Sequence, residues 1–284
     1  MASFNTNVIT DAIERQLAAD ETELEKEELG FNPLLLYYCE DFKVADDKIT
    51  IRQPRIQDFI NYGEDMIYDS ILPFVSNRTS MRLYLWNQGI DWNKISDLWL
   101  FCYLLNISNP EKTRLMFGDI DFRTFKLCKR ETPDGDEQVL YSSEHNIIID
   151  DDCRKLMSKF IQHMFNRFPP EDEFTSSKQL KQDLINRDKQ AAIQQKKQLS
   201  EFKGSQFLLY LSFCLNHPGF KYKKNELRDV GIFEFMDSVT RLNIYESTRA
   251  LYSGMYSGMC NLKGVDKNEF NFMRDPNYKS ESIA

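Results

Sequence analysis

The spacing of apolar residues predicts helices for most of this chain, interrupted by two short stretches of strand. Residues 5–28 carry a thin helical stripe of Ile9, Ile13 and Leu17 that gives way to glutamates before Gly30 and Pro33 break the pattern. The run Leu34-Leu35-Leu36-Tyr37-Tyr38 suits a strand. Lys48-Ile49-Thr50-Ile51-Arg52 alternates after an Asp46-Asp47 turn signal, so the two runs predict a hairpin or two-strand edge. Pro54 fits the first position of a helix, where its missing N–H costs nothing. Ile56, Phe59, Ile60, Gly63 and Ile67 continue that helix until Pro73 closes it.

An aromatic-rich helical pair follows. Met81 to Trp86 forms its first member, with Gly89 as the stop. Asp91 is placed to cap the second, which carries Ile95, Leu98, Trp99, Cys102 and Leu105 on one face. Helical spacing already accounts for two of Trp86, Trp92 and Trp99, so the three predict a core cluster rather than a ligand cage. Between 119 and 149 the texture changes. Phe122 to Leu127 alternates, Pro133-Asp134-Gly135-Asp136 makes a turn, Gln138 to Tyr141 returns, and Asn146-Ile147-Ile148-Ile149 is a third strand. Asp150-Asp151-Asp152 then caps a helix whose face is Cys153, Leu156, Met157, Phe160, Ile161, Met164 and Phe168, ended by Pro169-Pro170.

From Lys178 to Lys203 the chain turns Gln- and Lys-rich, with seven basic residues against Asp183, Asp188 and Glu201. Leu180, Leu184, Ala191, Leu199 and Phe202 form only a sparse seam, which predicts a solvent-bridging arm or a segment that orders on a partner. Dense apolar spacing resumes from Phe207 to Leu215 and stops at His217-Pro218-Gly219. A helix beginning at Asn225 or Asp229 shows Phe233, Met236, Val239 and Leu242. A last helix runs from Tyr245 to Met259, with Gly254 and Gly258 four apart, a spacing that suits close backbone packing.

Composition supports a folded protein: 42% of the 284 residues are hydrophobic and 13% aromatic. Net charge is −8, and residues 1–30 hold eight acids against Arg15 and Lys26, a local −6 that reads as a solvated acidic arm. This balance gives no general electrostatic reason to bind nucleic acid. Six scattered cysteines without C-x-x-C spacing read as reduced thiols of a cytosolic protein. No signal peptide is expected, since the N-terminus shows neither a basic start nor an apolar h-region, and no membrane span, because the longest apolar run, Leu98 to Leu105, falls far short of the ~20 residues needed.

The best enzyme candidate is His145 near Asp150, Asp151, Asp152 and Cys153. Consecutive aspartates at a strand-to-helix junction point in different directions, however, and one serves as the N-cap. His163 and His217 sit on a helix flank and beside a Pro-Gly stop. No nucleophile elbow, phosphate loop or zinc-protease motif is present, and no cofactor or metal is expected.

Several segments resemble the tail assembly chaperones and related tail-morphogenesis proteins of long-tailed bacteriophages of Gram-positive hosts. KITIRQPRIQDFINYGEDMIYD is similar to their I-x-x-P-T-I-x-D-I-x-x-Y-G-E opening, with Arg55 where Thr is usual. NIIIDDDCRKLMSKFIQHMF resembles their mid-chain strand and helix. VGIFEFMDSVTRL and the terminal NFMRDPN resemble their closing helices and W-M/I-R-D ending, with Phe272 in place of Trp. About two-thirds of the chain is covered in outline. The resemblance implies a helical chaperone of the host cell cytoplasm that binds the tape measure protein during assembly and is absent from the finished tail.

The expected fold is mainly α (α+β), helical with a short N-terminal hairpin and a small inserted antiparallel sheet. The expected parts are an acidic helical arm (1–30), an α+β domain (31–170), a polar helical linker (171–204) and a C-terminal helical domain (205–284). The expected function is non-catalytic binding of a phage tail protein. Ile9, Ile13, Leu17, Leu180, Leu184 and Leu199 are the candidate contacts, a homo-oligomer is possible, and neither nucleic acid nor membrane is a partner. The alternatives are a virion component such as a tail or connector subunit, and a small phage enzyme built on His145 and Asp150.

Overall fold

A computed structural model describes residues 29–133, 135–201, 205–258 and 264–276. The expected helix over 5–28, with Ile9, Ile13 and Leu17, lies outside the described residues. The fold is mainly α with two small antiparallel sheets, as the apolar spacing predicts. It divides into two units. The first comprises the described residues up to Gln53 together with Tyr68–Phe174. The second comprises Pro54–Ile67 and the described residues from Thr175 onward.

The first unit opens with a helical turn, α1 (Leu34–Tyr37), where a strand was expected. Pro33 supplies a helical φ of −58° and Asn32 accepts from the Leu34 N–H, so the run coils rather than extends. The hairpin forms one step later, from β1 (Phe42–Val44) and β2 (Ile49–Ile51), with Val44 opposite Ile49. Its turn places Ala45, Asp46 and Asp47 at positive φ (53°, 54° and 61°). The Arg52 N–H then reaches the Met116 carbonyl at 2.8 Å.

The helix expected from Pro54 to Pro73 is broken. α2 (Ile56–Tyr62) ends at Gly63, whose φ of 83° is one that few L-residues adopt. α3 (Glu64–Val75) then carries Pro73 in its last turn, and the division between the units falls within it. α4 (Arg82–Asn87) stops before Gly89. α5 (Asp97–Ile107) is capped by Ser96, not Asp91, whose carboxylate instead accepts from the Asn93 N–H. α6 (Pro110–Phe117) follows Asn109 as N-cap, with proline in the first turn.

Strands β3 (Lys126–Thr132), β4 (Gly135–Ser142) and β5 (Ile147–Ile149) form a meander. Residues Phe122–Thr124, expected in the first strand, make a 3₁₀ turn capped by Asp121. α7 (Asp151–Phe165) starts as expected, with the Asp150 carboxylate accepting the Cys153 N–H at 2.9 Å. It ends at Asn166, in the left-handed region, before the two prolines are reached.

Aromatic rings fill this unit. Phe42 stacks on Phe160 with centroids 4.5 Å apart, and Phe31 meets Phe160 edge-on. Phe74 packs against Phe101, Phe117 and Phe122. Burying each such side chain contributes about 1.5–3 kcal/mol. Trp92 is fully buried, but Trp86 is about a third exposed and Trp99 stacks on Tyr103, so one tryptophan of the expected cluster is core.

In the second unit, α8 (Lys178–Glu201) is the polar helix, α9 (Gln206–Asn216) the apolar one and α10 (Ile232–Ser257) the longest. The expected break between two C-terminal helices is absent because nothing from Leu242 to Tyr245 interrupts the backbone. The buried face shifts instead, from Ile232, Phe235 and Val239 to Ile244 and Thr248. Gly258 is the left-handed C-cap at φ 66°, and a Cβ there would meet nothing within 4 Å. The expectation of a close backbone contact at Gly258 is therefore corrected: the glycine ends the helix.

The boundaries differ from the expected 31–170, 171–204 and 205–284 for two reasons. Pro54–Ile56 pairs with Val230–Ile232. The Ile56 N–H donates to the Val230 carbonyl (3.0 Å) and the Ile232 N–H to the Pro54 carbonyl (2.9 Å). Phe59 also stacks on Phe207 at 4.3 Å, and Phe207 on Phe235 at 5.5 Å. Meanwhile Pro170–Phe174 belongs to the first unit, where Asn77, Arg78, Thr79, Arg82 and Trp92 hold it.

Candidate functional site

The second unit presents an open groove of about 480 Å³. Gly219, Phe220 and Lys221, from the loop after α9, form one wall. Asp237, Ser238, Arg241, Leu242 and Tyr245 on α10 make the floor, and Phe272 closes the far side.

Each wall is positioned by a local device. The His217 Nδ1 accepts the Gly219 N–H at 3.0 Å, while its Nε2 lies 3.3 Å from Glu246 on α10. A side chain at Gly219 would approach the His217 ring to 3.1 Å, so glycine suits this bend. Lys221 and Tyr222 both bond the Glu234 carboxylate, Lys221 at 2.9 Å. Partial burial and the neighbouring Glu234 carboxylate push the Tyr222 phenol above its usual pKa.

Phe272 is set by Arg274. One guanidinium nitrogen of Arg274 donates to the Thr248 hydroxyl (2.9 Å) and the Glu269 carbonyl (2.7 Å), the other to the Ser247 hydroxyl (3.0 Å). The same group lies 3.0 Å from the Glu269 carboxylate. Arg241 fastens the segment from the other side by donating to the Arg274 carbonyl at 2.8 Å. The clamp leaves Phe272 against Tyr245 and Tyr252, with centroids 5.6 and 5.7 Å away. Phe272 of the NFMRDPN motif, noticed only as a resemblance, thus builds one groove wall. Tyr245 and Phe272 remain 49% and 43% exposed, so the aromatic walls face solvent. Apolar surface rimmed by fixed charges can take aromatic or aliphatic side chains of a partner.

The sequence-predicted contacts fall apart from this groove. Leu180 is exposed on α8, but Leu184, beside Ile185, is buried and so belongs to the chain's own packing rather than to a free surface. The side chain of Leu199, like Ile9, Ile13 and Leu17, lies outside the described residues. Beyond Asp188 the described side chains of α8 are all exposed, Ile193 at 69%. Sequence reasoning missed the groove because its residues come from three segments and no periodicity joins them.

His145 does not meet the aspartates expected beside it. Its Nε2 accepts the Asp121 N–H at 3.2 Å and its ring stacks near Phe125. Asp150 caps α7 and lies 3.3 Å from Arg130, Asp151 pairs with Arg154 and Lys155, and Asp152 points to solvent. Among the described residues no three His, Cys, Asp or Glu side chains converge as a metal site would require. None of the described helices is long and apolar enough to cross a membrane. Comparison with protein-family models, curated proteins and solved structures gives no match.

Proposed function

We propose that this chain is a non-catalytic bacteriophage morphogenesis protein, a tail assembly chaperone that binds the tape measure protein in the host cytoplasm. The observation that carries this reading is the open aromatic groove of Phe220, Leu242, Tyr245 and Phe272 on the second unit. A tape measure protein is a long helix with apolar faces that aggregates unless covered, and its apolar side chains suit a groove of this chemistry. The exposed, basic outer part of α8 supports the reading, since a helix with few neighbours of its own leaves its surface available to a helical client.

Co-expression with the tape measure protein of the parent phage, followed by size-exclusion with light scattering, tests it. A soluble complex, weakened at least tenfold by Leu242→Lys or Phe272→Ala with the fold intact, is the expected result. A client that stays insoluble beside the folded chain would overturn the reading. A stable homo-oligomeric ring in that case would move the assignment to a virion component.

A further inference from the structure

The bend that forms one wall of the groove is closed by a titratable side chain. In the turn from His217 to Phe220, the Phe220 N–H donates to the His217 carbonyl at 3.1 Å and the Gly219 N–H to the His217 Nδ1 at 3.0 Å. The second bond has the spacing of an Asx turn, in which a side chain accepts from the backbone two residues on. Imidazole stands here where Asn or Asp is usual. A ring nitrogen accepts only while it carries no proton. The bond therefore requires the tautomer protonated on Nε2, which faces the Glu246 carboxylate at 3.3 Å. The His217 side chain is only 11% exposed, so water is poorly placed to take over either role.

We propose that His217 is a pH-sensitive latch on the groove: neutral, it holds the wall of Gly219 and Phe220, and protonated it releases that wall. Histidine ordinarily changes charge between about pH 5 and 8. The second proton goes to Nδ1 and turns the acceptor into a donor that confronts the Gly219 N–H. Two donors cannot share the bond. Glu246 is the charged group facing the ring from α10, and there the added charge makes an ion pair of a neutral hydrogen bond. α9 presents the uncharged Phe213, with ring centroids 5.3 Å apart, and Lys221 of the loop is held by Glu234 at 2.9 Å. The imidazolium is thus drawn toward α10 as it leaves the loop. One of the two hydrogen bonds of the turn is lost, and the Phe220 wall loosens. Acidification then weakens the groove's hold on an apolar side chain, a consequence that rests on the groove being the partner site, although the latch itself does not.

Millisecond amide hydrogen exchange of the full chain, with each rate divided by its intrinsic rate at that pH, tests the latch without any partner. Protection of the Gly219 and Phe220 amides falls at least threefold from pH 8 to pH 5. His217→Asn, folded by circular dichroism, keeps an acceptor two residues before Gly219 at every pH, so its protection stays level over that range. Glu246→Gln removes the charge that draws the imidazolium, and the fall moves to lower pH. Native protection that stays level from pH 8 to pH 5 overturns the proposal. So does an equal fall in His217→Asn, or a fall at the native pH in Glu246→Gln. No client takes part, so a chain that fails to bind the tape measure protein leaves these outcomes unchanged.

Discussion

The Glu173 carboxylate lies 3.0 Å from the guanidinium of Arg82, whose side chain is only 2% exposed. Arg82 also sits 5.6 Å over the Trp92 ring, and the Trp92 indole N–H donates to the Glu173 carbonyl at 3.3 Å. Next to this pair, Arg78 reaches Asp172 at 3.0 Å and covers the Phe174 ring at 4.4 Å. The Thr79 hydroxyl accepts the Glu173 N–H at 2.8 Å. An extended acidic segment is thereby held along its main chain and side chains at once.

Removing the carboxylate leaves a buried cation with one fewer partner. Glu173→Ala should therefore destabilise the first unit by about 1.5–3 kcal/mol, the usual range for a hydrogen bond to a charged group. Glu173→Gln, which keeps an acceptor, should cost less. Urea unfolding followed by tryptophan fluorescence measures both, and equal stability of the alanine variant and the native chain would refute the assignment.

The tail clamp makes a second prediction. Arg274→Lys keeps the charge but cannot bond Ser247, Thr248 and the Glu269 carbonyl together, because an ammonium lacks the planar fork. The variant should lose the segment around Phe272 to limited proteolysis sooner than the native chain, while α10 persists. Equal cleavage rates would show that the fork is not what fixes the segment.

Gly258 separates a cap from a packing contact. At φ 66° with open space around the Cβ position, Gly258→Ala should cost about 1 kcal/mol of backbone strain, and Gly258→Asn less, since asparagine tolerates this region. Were the glycine a packing contact, asparagine would be the worse of the two. Thermal unfolding of the pair distinguishes the cases.

Burial pushes the Cys214 thiol on α9 up to about 11. The unfolded thiol ionises near 9, so between about pH 9 and 11 the folded state holds a proton the unfolded state has lost. This contribution to stability is complete below pH 9 and disappears as pH rises through 11. Cys214→Ala should flatten that part of the stability profile, and the native thiol should react slowly with a soluble disulfide reagent at pH 8. An unchanged profile would place the thiol in water.

Legibility in the sequence followed the range of the interactions. α7 was readable because Asp150 and the Met157, Phe160, Ile161 and Met164 face lie within one periodic segment. The three-stranded meander was readable from its alternation and turn signals, apart from the residues at Phe122 that coil into a 3₁₀ turn. Gly63 was taken as part of a helix because one glycine does not reveal its φ, and Leu34–Tyr37 was misread because β-compatible residues also make a turn after proline. Leu184 was misplaced for a different reason: a sparse seam does not say which of its leucines the chain's own packing covers. The groove, joining Phe220, Leu242 and Phe272, depends on tertiary placement that no local pattern encodes.

The pairing of Arg55 with Gly231 has a consequence for the order of events during synthesis. The segment Pro54–Ile67 leaves the ribosome about 150 residues before Phe207 on α9 and about 175 before Val230–Ile232. At ~5–20 residues per second, those intervals span about 7 to 35 s. Throughout it Ile56 and Phe59, buried in the finished protein, lack the surfaces that later cover them. The nascent chain can therefore bind holdases at this early stretch, and a truncation ending before α9 leaves Ile56 and Phe59 without those partners.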